Sequence, residues 1–168
     1  MPADLIRDFG YLTLGTRLKR LGDKLQSDVQ LAIDVLNLPV TSAQYPLLAA
    51  LDRDGDMTIG ALVDAIGISQ PGVTRMVTKL EKTGLVSIKT GTADQRQKFV
   101  TLTKDGEHLI ATSKETLWRH IEKGVRDICT EGDPTTDILI ALDRIEQNIE
   151  ASSLFARMNK HPLDKAPS

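Results

Sequence analysis

The 168-residue sequence has a single cysteine, Cys129, and only 4% aromatic residues. A lone cysteine cannot close a disulfide within the chain, which points to a reducing compartment. So few aromatics leave Leu, Ile, Val and Ala to fill the core, a composition that suits packed helices better than a β-sandwich. No apolar run approaches the ~20 residues that cross a bilayer. The first turns carry Asp4, Arg7 and Asp8. Neither a membrane span nor a signal peptide is therefore expected, and a cytoplasmic protein is. Enzyme signatures are missing too: there is no Gly-rich phosphate loop, nucleophile elbow or clustered carboxylate pair. His108, His120 and His161 lack the close spacing of a zinc motif. Glu107, His108 and Cys129 can converge in space, but surface or helix-packing histidines are the favoured reading, and no metal or cofactor is expected. Asp52-Arg53-Asp54-Gly55-Asp56 has some likeness to a calcium loop, yet the following spacing lacks the glutamate such a loop needs, so a polar turn is expected.

What the sequence has is a local excess of positive charge. The whole chain carries a formal charge of −2, while the stretch 70–104 holds seven cations against Glu81 and Asp94. A basic patch on an acidic body attracts polyanions at one place and is repelled elsewhere. By itself such a patch is more often a solvated face. Its position decides the matter.

Around the patch, apolar periodicity predicts helices. Residues 4–37 read as one long helix, with Leu5, Phe9, Leu12, Leu18, Leu21, Leu25 and Val29 at spacings of three, four or more, weakened where Gly10, Gly15 and Gly22 mark a bend or close packing. At 1.5 Å per residue its length is ~45 Å, more than a small domain needs, so part of it is expected on a second subunit. Thr41 and Gln44 have capping-box spacing for a second helix to about Leu51, with Pro46 inside it and a bend expected there. Thr103 opens a long helix to about Ile128. Asp133-Pro134 caps a last one whose Ile138, Leu142, Ile145 and Ile149 form a heptad-like seam. The tail from Lys160 is expected to fray.

The segment between these helices is the informative one. Thr58 caps a short helix that Gly67 ends, and Ser69 caps another that Gly84 stops. The second helix turns Val73, Met76, Val77 and Leu80 inward and Gln70, Thr74, Arg75, Thr78 and Lys79 outward. Residues 85–90 and 98–102 alternate as strands around a polar loop. This is a helix-turn-helix followed by a β-wing. The fold class expected is mainly α with a small β-wing: a winged helix-turn-helix lobe over 41–102 and a helical dimerisation region from 4–37 and 103–158, in one domain. Chemistry assigns roles on a duplex. The free N–H groups at Ser69 favour a phosphate, Gln70, Thr74 and Arg75 reach base edges, and Thr78, Lys79 and Lys98 suit phosphates. Pro71 and Gly72 in the first turn and Lys89 on the wing complete the DNA-facing set.

The run ISQPGVTRMVTKLEKTGLV from Ile68 to Val86, the Asp94-Gln95-Arg96 wing followed by Val100 to Gly106, and the order of elements resemble the MarR family of transcriptional regulators over nearly the whole chain. The resemblance implies a homodimer on a pseudo-palindromic site in double-stranded DNA, a repressor relieved by a small-molecule effector. It places Arg96 in or beside the minor groove and has Asp94 hold the wing loop, against the plainer reading of a surface ion pair worth ~0–1 kcal/mol. Family ligands sit between lobe and dimer helices, which makes Tyr45 and Trp118 candidate ligand contacts, with ordinary packing slightly preferred. A thiol-sensor role for Cys129 is disfavoured, because the family's peroxide sensors place their cysteine in the first helix; a quiet, partly buried residue is expected. The competing reading is a winged-helix protein-interaction module without DNA. An enzyme on this scaffold comes third.

Overall fold

The predicted N-terminal helix is interrupted. In the computed structural model, which describes residues 4–91, 97–132, 135 and 137–159, it consists of α1 (Leu5–Asp8), a 3-10 turn (Gly10–Thr13) and α2 (Leu14–Val35). Gly10 breaks the path by adopting φ +55°, a left-handed conformation that glycine reaches without a Cβ clash. Asp4 caps α1 and accepts from both terminal nitrogens of Arg20, at 3.1 and 2.8 Å, which ties the short helix to α2. The Arg20 hydrogen bond holds the Asp4 carboxyl below the usual carboxylate range. Of the three glycines that could mark a bend, Gly10 does so; Leu5, Phe9 and Leu12 fit a helical period whether or not one glycine turns left-handed, so the pattern does not choose among them.

The second helix is also displaced. A 3-10 turn occupies Ser42–Gln44, where the Thr41 N–H donates to Gln44 Oε1 at 2.8 Å, and α3 runs over Tyr45–Asp54. Pro46 thereby falls in the first turn, where its missing N–H has no helical partner to lose, and the bend expected from an interior proline is not required.

After α3 the chain builds the winged lobe. Met57–Thr58 form β1, too short for alternation to reveal, and Thr58 Oγ1 caps α4 (Ile59–Ile66) by accepting from the Ala61 N–H at 3.2 Å. Gly67, at φ +65°, ends α4 and leads into α5 (Gln70–Lys82). At the far end of α5 the Gly84 N–H donates to the Glu81 carbonyl and the Leu85 N–H to the Leu80 carbonyl, each at 3.0 Å. This closes the helix as a Schellman turn with Gly84 at φ +74°. β2 (Val86–Thr90) and β3 (Lys98–Leu102) pair antiparallel, and β1 adds to the other edge of β3, giving the order β1-β3-β2. The core lies under this sheet and between α3, α4 and α5. Leu47, Leu48, Leu62, Val73, Leu80 and Ile110 are wholly buried there, each worth roughly 1.5–3 kcal/mol against exposure.

Beyond the sheet, α6 (Lys104–Ser113) passes through a π-helical turn (Lys114–Trp118) into α7 (Arg119–Thr130). Helical periodicity had given one regular helix here. The chain divides into two compact units, Met1–Glu122 and Lys123–Ser168. In the second, α8 (Ile138–Ala151) is capped by Asp137, whose carboxylate accepts from the Leu139 and Ile140 N–H groups. The expected start at Asp133-Pro134 and the tail from Lys160 lie outside the described residues. Extended backbone at Ser152 separates α9 (Leu154–Met158). Along the expected seam, Ile138, Ile145 and Ile149 are exposed and Leu142 is half-buried. Cys129 is exposed rather than partly buried.

One close approach locks the first unit. A Cβ on Gly106 would stand 2.1 Å from the Leu85 carbonyl oxygen, and only backbone movement relieves such an overlap. Gly106→Ala is expected to lower stability by ~2 kcal/mol or more in urea denaturation. Gly60→Ala, where an added Cβ meets only Thr58 Oγ1 at 3.9 Å, is the control, expected neutral or slightly stabilising.

Candidate nucleic-acid interface

Helix α5 is divided lengthwise. Val73, Val77 and Leu80 are buried and Met76 is half-buried, while Gln70, Thr74, Arg75, Thr78 and Lys79 are exposed, as their spacing predicts. The exposed face begins at a helix N-terminus. Ser69 stands at the N-cap with extended backbone, but its hydroxyl makes no capping hydrogen bond, which corrects the expectation of a side-chain cap. The amides of the first turn are thus left for another acceptor. Pro71 lies in that turn, where it removes no helical bond. Gly72 is half-buried under Ile68, whose Cγ2 would lie 2.8 Å from an added Cβ. Gly72 therefore serves the packing of the turn onto α5 as well as leaving its surface low.

The two threonines are less free than their exposure suggests. Thr74 donates its hydroxyl proton to the Gln70 carbonyl at 2.9 Å, and Thr78 donates to the Thr74 carbonyl at 3.0 Å. A hydroxyl has one proton, so each presents lone pairs and a methyl group outward. Thr74 is then suited to a base edge, including a thymine methyl. Thr78 must exchange its intrahelical bond before it can donate to a phosphate. Arg75 and Lys79 form no ion pair among the described residues, so their charge stays available.

On the wing, Lys89 stands opposite Phe99 and Lys98 opposite Thr90. Alternation then puts Lys89 and Lys98 on opposite faces of the ribbon. Both are exposed. The Gly91 N–H closes the base of the wing onto the Gln97 carbonyl at 2.8 Å. The wing-tip residues Asp94, Gln95 and Arg96 lie outside the described residues.

Tyr45 and Trp118 do meet, with ring centroids 6.1 Å apart and planes at 75°. Tyr45 is buried, and its hydroxyl shares a 2.9 Å hydrogen bond with Ser113 Oγ. Burial pushes its phenol above the usual tyrosine range, with the Ser113 bond acting the other way. Trp118 is half-buried and forms one wall of an open cleft of about 510 Å³, shared with Pro46, Ala49, Ala65 and Ile66. Of the two aromatics, Tyr45 supports from behind and Trp118 faces the space. Sequence reasoning missed the charged rim of this cleft. Lys114 Nζ lies 2.5 Å from Asp52 and 5.9 Å from the Trp118 ring centre, an ion pair and a cation–π contact made by one ammonium. Asp52 and Lys114 are 62 positions apart, and no local pattern pairs them.

Comparison with known proteins agrees with this geometry. Residues 38–97 match the model of the MarR family. The chain is 27% identical over 116 residues to the transcriptional repressor MdtR of Bacillus subtilis, covering 59% of this chain and 75% of MdtR. It is 30% identical over 73 residues to the transcriptional activatory protein BadR of Rhodopseudomonas palustris, covering 42% of each. Among solved structures, a cysteine-to-serine variant of E. coli MarR complexed with operator DNA superposes with a TM-score of 0.69 at 18% identity, over 88% of this chain and 99% of that one. Bordetella bronchiseptica BpsR, whose DNA binding is regulated by 6-hydroxynicotinic acid, superposes with a TM-score of 0.63 at 23% identity, over 81% of this chain and 91% of that one. Through residues 38–97, which hold the helix-turn-helix, the chain is similar to the MarR family, and it shares its fold with solved members of that family.

Proposed function

We propose that this chain is a sequence-specific DNA-binding transcriptional regulator. It acts as a homodimer on a pseudo-palindromic operator and represses until a small molecule binds. The observation that carries the reading is the exposed face of α5, where Gln70, Thr74, Arg75 and Lys79 follow one another from an uncapped N-terminus to the last turn, together with two exposed lysines on the wing. Such a face meets the needs of a major groove: amides and cations for phosphates, an arginine and an amide side chain for base edges. Lys89 and Lys98, one on each face of the ribbon, suit a wing that stands edge-on between two rows of phosphates. Arg96 at the tip is assigned to the minor groove on the same reading.

Repression is supported by the likeness to MdtR and follows physically if the dimer covers a promoter. BadR bears the opposite sign, so operator position, mapped against the transcription start, tests this part. The effector is assigned to the cleft beside Trp118, with BpsR as the precedent for a ligand-regulated neighbour. A ligand acts there by binding more tightly to the lobe arrangement that does not fit the operator. No described helix is long and apolar enough to cross a membrane, and we assign the protein to the cytoplasm, with its DNA.

Selection of bound sequences from random duplex DNA is the direct test. Two inverted half-sites with centres about one helical turn, ~34 Å, apart are expected, and recovery of unpaired sites would sink the dimeric reading. Arg75→Ala is expected to relax choice at one base position by ~1–3 kcal/mol, read by competition with single-base operator variants. The double substitution Lys89→Ala and Lys98→Ala should weaken all sequences alike and flatten the slope of log K against log salt by about one unit per lysine in each lobe that touches phosphate. A protein-interaction module would show no such slope on DNA. Arg96→Ala should reduce operator affinity while leaving the dimer intact in sedimentation; unchanged affinity at matched salt refutes its role.

A further inference from the structure

The residues that join the recognition helix to the helix after the wing form one small hydrogen-bonded knot. Thr103 lies at its centre. Its hydroxyl donates to the Gly84 carbonyl at 2.6 Å and accepts from the Gly106 N–H at 3.1 Å, and its own N–H donates to the Leu85 carbonyl at 3.1 Å. Gly84 and Leu85 are the two residues that close α5 as a Schellman turn. Gly106 is in the first turn of α6 and touches Leu85 closely enough to exclude a Cβ. One side chain therefore caps α6 and grips the end of α5 at once.

We propose that Thr103 is a positioning residue that fixes the direction of α5 relative to α6 and so sets which half-site spacing the dimer accepts. The proposal rests on the paired reading of DNA given above. A single lobe reads its half-site with groups on α5 and the wing, none of which Thr103 touches. Two lobes reach a palindrome only at the separation their supporting helices impose, and an operator of wrong spacing is resisted by whatever opposes rotation of α5 on α6. The Thr103–Gly84 bond opposes it directly, because rotation about the knot must lengthen that bond or break the cap of α6. Discrimination between spacings is then a property of the knot rather than of the reading face.

Three substitutions separate the two jobs of the hydroxyl. Thr103→Ser keeps donor and acceptor. Thr103→Asp keeps the N-cap acceptor but, ionised, has no proton for the Gly84 carbonyl. Thr103→Val has neither. Each is titrated against operators built from identical half-sites at the best spacing and at one base pair more or less. The ratio of affinities cancels any uniform effect of added charge or lost stability. The wild type and Thr103→Ser are expected to discriminate sharply. Thr103→Asp and Thr103→Val are expected to lose about three- to tenfold of that ratio, the worth of one such bond, while choice of bases within a half-site stays as it was. If Thr103→Val does not fold, Thr103→Asp carries the test. Equal losses at every spacing, with an unchanged ratio, overturn the proposal and leave Thr103 a stability residue. A wild type that binds half-sites without any spacing preference overturns the paired reading, and this inference with it.

Discussion

A helix proposed to read DNA has to be buried firmly on one side and left bare on the other, and the packing of the lobe around α5 meets that constraint. Val73, Val77 and Leu80 are buried to 2% exposure or less. Burial at this level fixes the rotation of the helix about its axis, since turning it by one position would expose a valine or bury Lys79. The surrounding elements follow from the need to cover those three side chains. α3 and α4 supply Leu47, Leu48 and Leu62, and the sheet supplies Val86 and Val100. The polar side is then fixed without contacts of its own, and Arg75 and Lys79 keep their charge unpaired among the described residues. An unpaired surface cation contributes little to folding. Its placement on a helix whose inner face is so well packed is what gives it a use on the proposed reading.

Rotation about the axis is only one freedom. The pitch of α5 against the rest of the unit is held at its C-terminal end, where Gly84, Leu85, Thr103 and Gly106 come together. Further along the following helix, two polar ties bind it to α3: Tyr45 to Ser113 and Asp52 to Lys114. Both lie where α6 gives way to the π-helical turn. A π turn carries an extra residue per turn at the expense of regular hydrogen bonding and tends to occur where function requires a special presentation. Here it sets Lys114 against Asp52 and the Trp118 ring together. Asp52, the acidic half of this ion pair, lines the cleft beside Trp118, so on the proposed effector reading a cationic or hydrogen-bonding ligand that competes for Asp52 offers a physical route from cleft to lobe.

How much of this was legible depended on the range of the signal. The faces of α5 were readable because helical period and a glycine stop lie side by side in the sequence and a local charge excess overlaps them. Thr58, Gly67 and Gly84 were readable because caps and left-handed stops are local chemistry. The failures have different causes. Gly10 and Pro46 were seen, but one residue's backbone angle or its exact turn decides between a bend and a tolerated position, and periodicity does not resolve one turn. β1 has two residues, fewer than one period of alternation needs for recognition. The Asp52–Lys114 pair and the Thr103 knot join residues 62 and 19 positions apart, and composition holds no trace of either. Tyr45 and Trp118 were legible only as two rare aromatics, candidates for a ligand or for packing; their edge-to-face contact, and which ring faces the cleft, come from the structure.

The apolar surface left over is the last physical fact to account for. In the first unit Phe9, Tyr11 and Leu12 are 57%, 94% and 82% exposed, and in the second Leu154 and Phe155 are 69% and 73% exposed. Single exposed apolar residues are ordinary, but aromatic and leucine side chains gathered at the start and end of a chain this poor in aromatics are not. The sequence has three phenylalanines and two tyrosines in all, and three of those five stand in water. Leaving them there forgoes roughly 1.5–3 kcal/mol for each large side chain that a partner would cover. On the proposed homodimeric reading, a second copy of the chain would supply such a cover symmetrically, with the same residues offered and received. Stability then becomes concentration-dependent, because covering those side chains is part of folding. It also explains the division of labour in the sequence. The residues proposed to read DNA lie within 69–98, and the most exposed aromatic and leucine side chains lie outside that span, so association would leave the proposed reading face untouched.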